Sequence, residues 1–140
     1  MKKPLNAKRI LIADDNRDCR DILRMALQNK GYQVTLAKDG TEAIREIEHH
    51  PPDLILLDVM MPGKNGFDVC AWVKKDPKIS HTFIIMISAA GDPASRERGL
   101  KAGADDYLIK PLDPLEVILR IQRFFKETPA LAFIQRPLPT

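Results

Sequence analysis

Residues 9–15, RILIADD, form a short apolar run that ends in two aspartates. A run of this length without polar alternation is typical of a strand buried on both faces, as in the centre of a parallel sheet. The two acids would then lie at the edge of the sheet where the strand ends. This stretch therefore predicts a central parallel strand with a pair of carboxylates at its carboxyl end.

Similar runs recur along the chain, and a helical pattern follows each of them. The predicted strands are residues 9–13, 32–37, 53–57, 83–87 and 105–109. The predicted helices have N-cap candidates at Asn16, Asp39, Asp92 and Asp113, and the third helix is marked by Phe67, Cys70 and Val73. Spacing predicts an apolar face of Ile22, Leu23, Ala26 and Leu27 on the first helix, and of Leu115, Ile118, Leu119 and Phe125 on the last.

Five alternating strands and helices predict an α/β fold, a five-stranded parallel sheet that is doubly wound, (βα)5, of the flavodoxin-like type. We expect residues 7–127 to form one domain. Residues 128–140 contain three prolines and little periodicity, which predicts a C-terminal tail or a linker. If the chain is complete, its output runs through a separate partner.

The composition limits the function classes. The 140 residues are 44% hydrophobic, enough for a core, and no apolar run approaches the ~20 residues that span a bilayer. We therefore expect a cytoplasmic protein with no membrane partner. A net charge of +3 does not by itself indicate nucleic acid, which we do not expect as a partner. Cys19 and Cys70 form no zinc-ligand spacing and are predicted to be reduced, buried thiols.

Ligands of open parallel sheets bind at the carboxyl ends of the strands, so the residues at those ends are the site candidates. The first strand contributes Asp14 and Asp15, and the third contributes Asp58. The fourth strand ends at Ser88 and the fifth at Lys110. The predicted fold alone places three carboxylates, one hydroxyl and one amine along a single rim.

Three neighbouring carboxylates repel one another and need a counter-charge. Mg²⁺ supplies it, because this ion takes one or two carboxylates, keeps several waters and binds a phosphate oxygen. One oxygen of Asp58 would remain as a nucleophile, and aspartyl phosphates are known covalent intermediates. Lys110 and Ser88 are the available donors to a phosphoryl group.

These residues resemble the receiver domain of two-component response regulators. Each short motif alone is weak, but their order at the ends of the expected strands is specific, and the resemblance covers roughly residues 7–127. The matching pieces are Asp14-Asp15, Asp58 with Met61-Pro62-Gly63 and Gly66, Ser88-Ala89, residues 103–107 (GADDY), and Lys110-Pro111.

The resemblance implies a role for each matched position. Asp58 would be the phosphoacceptor. Mg²⁺ would be bound directly by Asp15, Asp58 and the backbone carbonyl of Met60, with Asp14 nearby through water. Lys110 would pair with the phosphoryl group.

Ser88 would hydrogen-bond to the phosphoryl group, and Tyr107 would be the aromatic switch residue that follows Ser88 inward. Pro111 would follow a cis peptide bond. Phosphorylation would then change the face made by helix 4, strand 5 and helix 5. The implied partners are a histidine kinase or histidine phosphotransfer protein and a downstream protein effector. A homodimer through helices 4 and 5 stays open.

Two positions depart from what favours fast hydrolysis in this family. Met60 and Ala90, each two residues beyond a site residue, are apolar where polar groups help to place the attacking water. We therefore expect slow self-dephosphorylation. The chain would catalyse its own phosphotransfer without being a conventional enzyme.

Other interpretations remain beside this one. Taken singly, Asp14, Asp15 and Asp58 are ordinary acids of helix starts and turns, and Lys110 an ordinary surface lysine. A phosphohydrolase would need a second acid where Met60 stands, and a Rossmann domain would need a glycine-rich loop after the first strand. The alternative function is a receiver fold that acts as a protein-interaction module without phosphorylation.

Overall fold

The computed structural model describes residues 7–89 and 93–127. Strands and helices alternate throughout these residues. The strands are β1 (Arg9–Ala13), β2 (Gln33–Ala37), β3 (Leu54–Asp58), β4 (Phe83–Ser88) and β5 (Asp106–Ile109). The helices are α1 (Arg17–Asn29), α2 (Gly40–His49), α3 (Gly66–Lys75), α4 (Pro93–Lys101) and α5 (Pro114–Phe124).

The five strands form one parallel sheet in the order β2-β1-β3-β4-β5. β1 pairs with both β2 and β3, so it is an interior strand, as its apolar sequence predicts. β3 is the middle strand, and all five of its residues are buried. The predicted α/β, flavodoxin-like fold is confirmed.

Two apolar cores cover the two faces of the sheet, which is why the interior strands β1, β3 and β4 do not alternate polar and apolar residues. Along β1, Leu11 and Ala13 point into the first core, with α2 and α3. Ile10 and Ile12 point into the second core, with α1 and α5. Because alternate residues of a strand face opposite sides, a strand between two cores must be apolar at every position.

Side chains cap most of the helix starts. Asn16 accepts a hydrogen bond from the N–H of Cys19, and Asp39 accepts one from the N–H of Glu42. Asp113 accepts one from the N–H of Leu115. These bonds satisfy N–H groups that the first helical turn leaves without partners. The predicted cap Asp92 lies outside the described residues.

The predicted apolar faces of α1 and α5 are partly wrong. Leu23 and Leu27 are buried, but Ile22 is 55% exposed. On α5, Leu115 is 50% exposed, Leu119 is half-buried, and the buried stripe is Val117, Ile118 and Ile121. Leu115 lies two residues, or about 200° of helical rotation, from Val117, so both cannot face the sheet.

Candidate functional site

The acidic pair at the end of β1 and the aspartate at the end of β3 meet at the carboxyl edge of the sheet. Asp14, Asp15 and Asp58 each offer a carboxylate oxygen, and these three oxygens lie within 4.8 Å of one another. Asp14 and Asp58 are buried, whereas Asp15 is exposed. The cluster thus has an open side at Asp15.

Backbone and side-chain bonds hold Asp14 from three directions. Its N–H donates to the carbonyl of Ala37 at 3.0 Å, which continues the pairing of β1 with β2. Its Oδ1 accepts from the N–H of Asn16 at 2.9 Å. Its backbone carbonyl accepts from Nη1 of Arg20 at 2.8 Å. The peptide on each side of Asp14 is therefore fixed.

The loop after β3 wraps closely around Asp58. The N–H of Met60 donates to Asp58 Oδ1 at 3.2 Å, and the N–H of Gly66 donates to the carbonyl of Val59 at 3.0 Å. A Cβ on Gly66 would lie 2.3 Å from the carbonyl oxygen of Asp58. Only glycine allows α3 to begin this close to the end of β3.

Lys110 reaches into the cluster from the end of β5. Its Nζ lies 3.0 Å from Asp14 Oδ2 and 3.5 Å from Asp58 Oδ2. Its N–H donates to the carbonyl of Ser88 at 2.8 Å, and the peptide bond between Lys110 and Pro111 is cis. The backbone of β4 thus sets the position from which the ammonium enters.

Burial and charge act on the ionisation of this cluster. Burial, with the charge of Asp14, raises the pKa of Asp58 to about 7, against the opposing effect of Lys110. Burial also works against ionised Asp14, but the N–H of Asn16, the thiol of Cys19 and the Lys110 ammonium hold its pKa below the usual value. Burial opposes the charge of Lys110, yet the two carboxylates keep its pKa raised.

The donor set of the acidic cluster fits a hard divalent cation. The Lys110 ammonium lies 3.0 Å from the buried Oδ2 of Asp14, in an ion pair that does not have the geometry of a hydrogen bond. One ammonium also faces three carboxylates. An oxygen-liganded Mg²⁺ would satisfy that atom and balance the charge, with ligands drawn from Asp14, Asp15 and Asp58.

The other predicted residues lie on or next to this edge. Ser88 is buried at the end of β4, one residue beyond the partner of Asp58 in the sheet, Ile87. Tyr107, in β5, is half-buried and packs against the first core. Met60 is 71% exposed directly beside the cluster. Ala90 lies outside the described residues.

Sequence reasoning missed two residues of α1 that face the site. Cys19 is half-buried, not buried as predicted, and burial raises the pKa of its thiol to about 12, with the carboxylate of Asp14 adding to the shift. Arg20 bonds to the backbone of Asp14. The position of Arg20 in the sequence could have identified it, because Arg20 lies three residues before Leu23, on the side of α1 that faces the sheet.

The fold and the site together define a class of protein: a doubly wound α/β domain with an acidic cluster and a lysine at the carboxyl edge of its sheet. Residues 10–122 match the family described as the response regulator receiver domain. The chain belongs to that family and is a receiver domain of two-component signalling.

Similar proteins agree with this assignment. The transcriptional regulatory protein ResD of Bacillus subtilis is 38% identical over 135 residues, which cover 96% of this chain and 55% of ResD. The DNA-binding response regulator MtrA of Mycolicibacterium paratuberculosis is 37% identical over 115 residues, covering 82% of this chain and 50% of MtrA. The chain spans about half the length of these curated relatives.

Solved structures have the same fold. A putative response regulator from Chloroflexus aurantiacus superposes with a TM-score of 0.82 at 34% identity, covering 87% of this chain and all of that one. Among the described residues, no helix combines the length and apolar character that a bilayer crossing requires.

Proposed function

We propose that this chain is a phosphorylation switch in which Asp58 accepts a phosphoryl group in a Mg²⁺-dependent reaction. The observation that carries the proposal is the meeting of Asp14, Asp15, Asp58 and Lys110 at one edge of the sheet. Carboxylates that crowd together without an equal number of cations are costly for a fold. Such crowding is typical of a site that binds a metal ion and a phosphoryl group.

The transfer begins from a phosphohistidine on a histidine kinase or a histidine phosphotransfer protein. An oxygen of Asp58 attacks phosphorus as the P–N bond to the imidazole breaks. The electron pair of that bond stays on the imidazole nitrogen, and a proton from water makes the departing ring neutral. The product is an aspartyl phosphate, and no oxidant or further reactant is required.

The surrounding residues hold the reactants and neutralise charge. Asp14, Asp15 and Asp58, with the carbonyl of Met60, would hold Mg²⁺, which supplies positive charge opposite the phosphoryl oxygens. Lys110 lies 3.5 Å from Asp58 Oδ2, so its ammonium can turn from Asp14 to a phosphoryl oxygen on Asp58.

The signal leaves through Ser88, Tyr107 and the face of α4, β5 and α5. A new phosphoryl oxygen attracts the Ser88 hydroxyl, and the ring of Tyr107 follows into the space behind it. Ile109 is 51% exposed and Leu100 is 54% exposed, so apolar side chains of this face are available to an effector or to a second copy of the chain.

The donor approaches beside Lys110. A cavity of about 440 Å³ lies there, with Cys19, Leu23 and Pro111 in its wall. Ile22, at its rim, is exposed. An apolar surface next to the phosphoacceptor suits a helical partner that brings its phosphohistidine to Asp58.

Regulators such as MtrA carry DNA-binding in their name and are about twice as long as this match. The expectation that nucleic acid is not a partner therefore loses its support for a longer protein with this chain as its receiver half. In such a protein, residues 7–127 would be the receiver domain and residues 128–140 the linker. The partners and output of the whole protein are part of this proposal.

The test is intact mass after incubation with Mg²⁺ and acetyl phosphate. We expect a gain of one phosphoryl group in the wild type, none in Asp58→Asn, and none when a chelator is added first. Asp53→Asn is the matched control, because Asp53 stands before the other end of the same strand and should leave labelling intact. If the wild type is not labelled when a known receiver is, the chain is a phosphorylation-independent interaction module.

A further inference from the structure

Arg20 donates from Nη1 to the backbone carbonyl of Asp14 at 2.8 Å. The two neighbouring arginines of α1 behave differently, because Arg17 and Arg24 both pair with Asp21 on the helix surface. Arg20 has no carboxylate partner within residues 7–89 and 93–127. Its guanidinium instead binds a neutral peptide group directly before Asp15.

That peptide group determines where the exposed ligand points. The carbonyl of Asp14 and the N–H of Asp15 belong to one rigid plane, so fixing the oxygen fixes the start of Asp15. The carboxylate of Asp15 makes no hydrogen bond or ion pair of its own in the described part of the chain. Its direction therefore depends on the backbone, and the bond from Arg20 is the contact that holds this plane from the helix side.

A charge effect and a positioning effect of Arg20 have opposite signs. A guanidinium bonded to the backbone of Asp14 repels a divalent cation at the acidic cluster, so removing the positive charge alone would tighten Mg²⁺ binding. Removing a group that orients a ligand would weaken binding, as loss of such outer contacts does in other metal sites. The direction of the change in affinity separates the two.

We propose that Arg20 is a positioning residue of the acidic site, which orients Asp15 for Mg²⁺ by holding the Asp14–Asp15 peptide. The inference rests on the proposed function, because it assigns Arg20 to the same metal site. It adds a residue of α1 that does not touch the metal, the phosphoryl group or the reacting carboxylate.

The experiment is a Mg²⁺ titration of ¹⁵N-labelled protein without a phosphodonor, followed by the amide resonances of Asp15 and Asn16. We expect Arg20→Met to raise the Kd on the order of 10-fold. Arg17→Met is the matched control, because it removes the same charge from the same helix and should leave the Kd unchanged or slightly lower. The melting temperature in EDTA should be similar for both variants.

A Kd for Arg20→Met equal to or lower than the wild-type value overturns the inference and leaves the proposed function intact. A wild type whose site amides do not respond to Mg²⁺ overturns the proposed function itself. If Arg20→Met does not fold, shown by collapsed amide dispersion far from the site, Arg20→Lys makes the same comparison. This variant keeps the charge but not the fork of donors, so it too should bind Mg²⁺ more weakly.

Discussion

Two lysines at opposite ends of the sheet have opposite surroundings. Lys74, near the amino ends of β4 and β5, donates to the carbonyls of Ser80 and Thr82 at 3.2 and 2.7 Å. It also pairs with Asp105 at 3.0 Å, and that carboxylate accepts the N–H of Ile84. Lys110, at the carboxyl end, instead contacts two carboxylates of a cluster of three.

The difference indicates a structural role for Lys74 and supports the role proposed for Lys110. The three donors of the Lys74 ammonium have three acceptors, and its charge is balanced by one carboxylate. At the other end, one ammonium faces three carboxylates, and its ion pair with the buried Oδ2 of Asp14 does not have the geometry of a hydrogen bond. The arrangement at Lys74 stabilises the fold, whereas the net negative charge around Lys110 favours binding of a cation.

The largest expected effect comes from Lys110→Met. Without the ammonium, charge on the phosphoryl oxygens is less stabilised, and we expect labelling by acetyl phosphate to slow about 100-fold. Rates from intact mass at saturating Mg²⁺ give the measurement. Lys64→Met, in the loop between β3 and α3, is the control for loss of a positive charge. An unchanged rate would contradict the role proposed for Lys110 and the contrast with Lys74.

Lys74→Met should act on stability and not on chemistry. Loss of two bonds to carbonyls and one ion pair should lower the free energy of unfolding by about 2 kcal/mol. Urea denaturation measures it, and the exposed Lys75→Met should have little effect. If Lys74→Met instead slowed phosphorylation with unchanged stability, the two lysines would not differ as their surroundings indicate.

Met60→Asn tests how the carboxyl edge of the sheet controls hydrolysis of the aspartyl phosphate. An amide in place of the exposed thioether can hold a water near the aspartyl phosphate, so hydrolysis should be several-fold faster than in the wild type. The decay of phosphorylated protein after removal of the donor is the measurement. Met25→Asn changes another exposed methionine, on α1, and should leave the decay unaltered. A wild type that decays faster than Met60→Asn would contradict the expectation.

The smallest expected effect is that of Tyr32→Phe on stability, at the amino end of β2. The Tyr32 hydroxyl donates to Glu127, and burial together with this carboxylate raises the pKa of Tyr32 from 10.0. Since the folded protein favours the protonated phenol, its contribution is complete below pH 10 and is lost as the pH rises further. We expect Tyr32→Phe to cost about 1 kcal/mol near neutrality and to flatten the alkaline fall in stability. Equal pH profiles would contradict this.

The fold was predictable because its signals are local and redundant. The interior strands β1, β3 and β4 are largely apolar runs bounded by polar residues, and the N-caps at Asn16 and Asp39 mark helix starts that the structure contains. Part of the site was predictable because the carboxyl ends of parallel strands lie at the same edge of the sheet. Asp14, Asp58 and Lys110 meet there as expected, while their roles remain predictions.

The errors have a geometric cause. Apolar spacing predicts Ile22 and Leu115 in the core, but both are exposed, because the orientation of a helix on the sheet is set by its whole apolar stripe and not by each apolar residue. Arg20 was missed because its partner is a backbone carbonyl, which leaves no trace in the identity of any other residue. Contacts to the main chain are the part of a site that a single sequence reveals least well.

The strand order has a consequence for the chain while it is being made. Asp14, Asp15 and Asp58 emerge from the ribosome well before Lys110, and β5, the last strand in the sequence, lies at an edge of the sheet. A nascent chain that ends before β5 would hold its three carboxylates together without their ammonium. On the proposed function, an unfinished receiver would therefore lack both the charge balance and the ammonium donor for phosphotransfer, and signalling competence would arise only after β5 has been made.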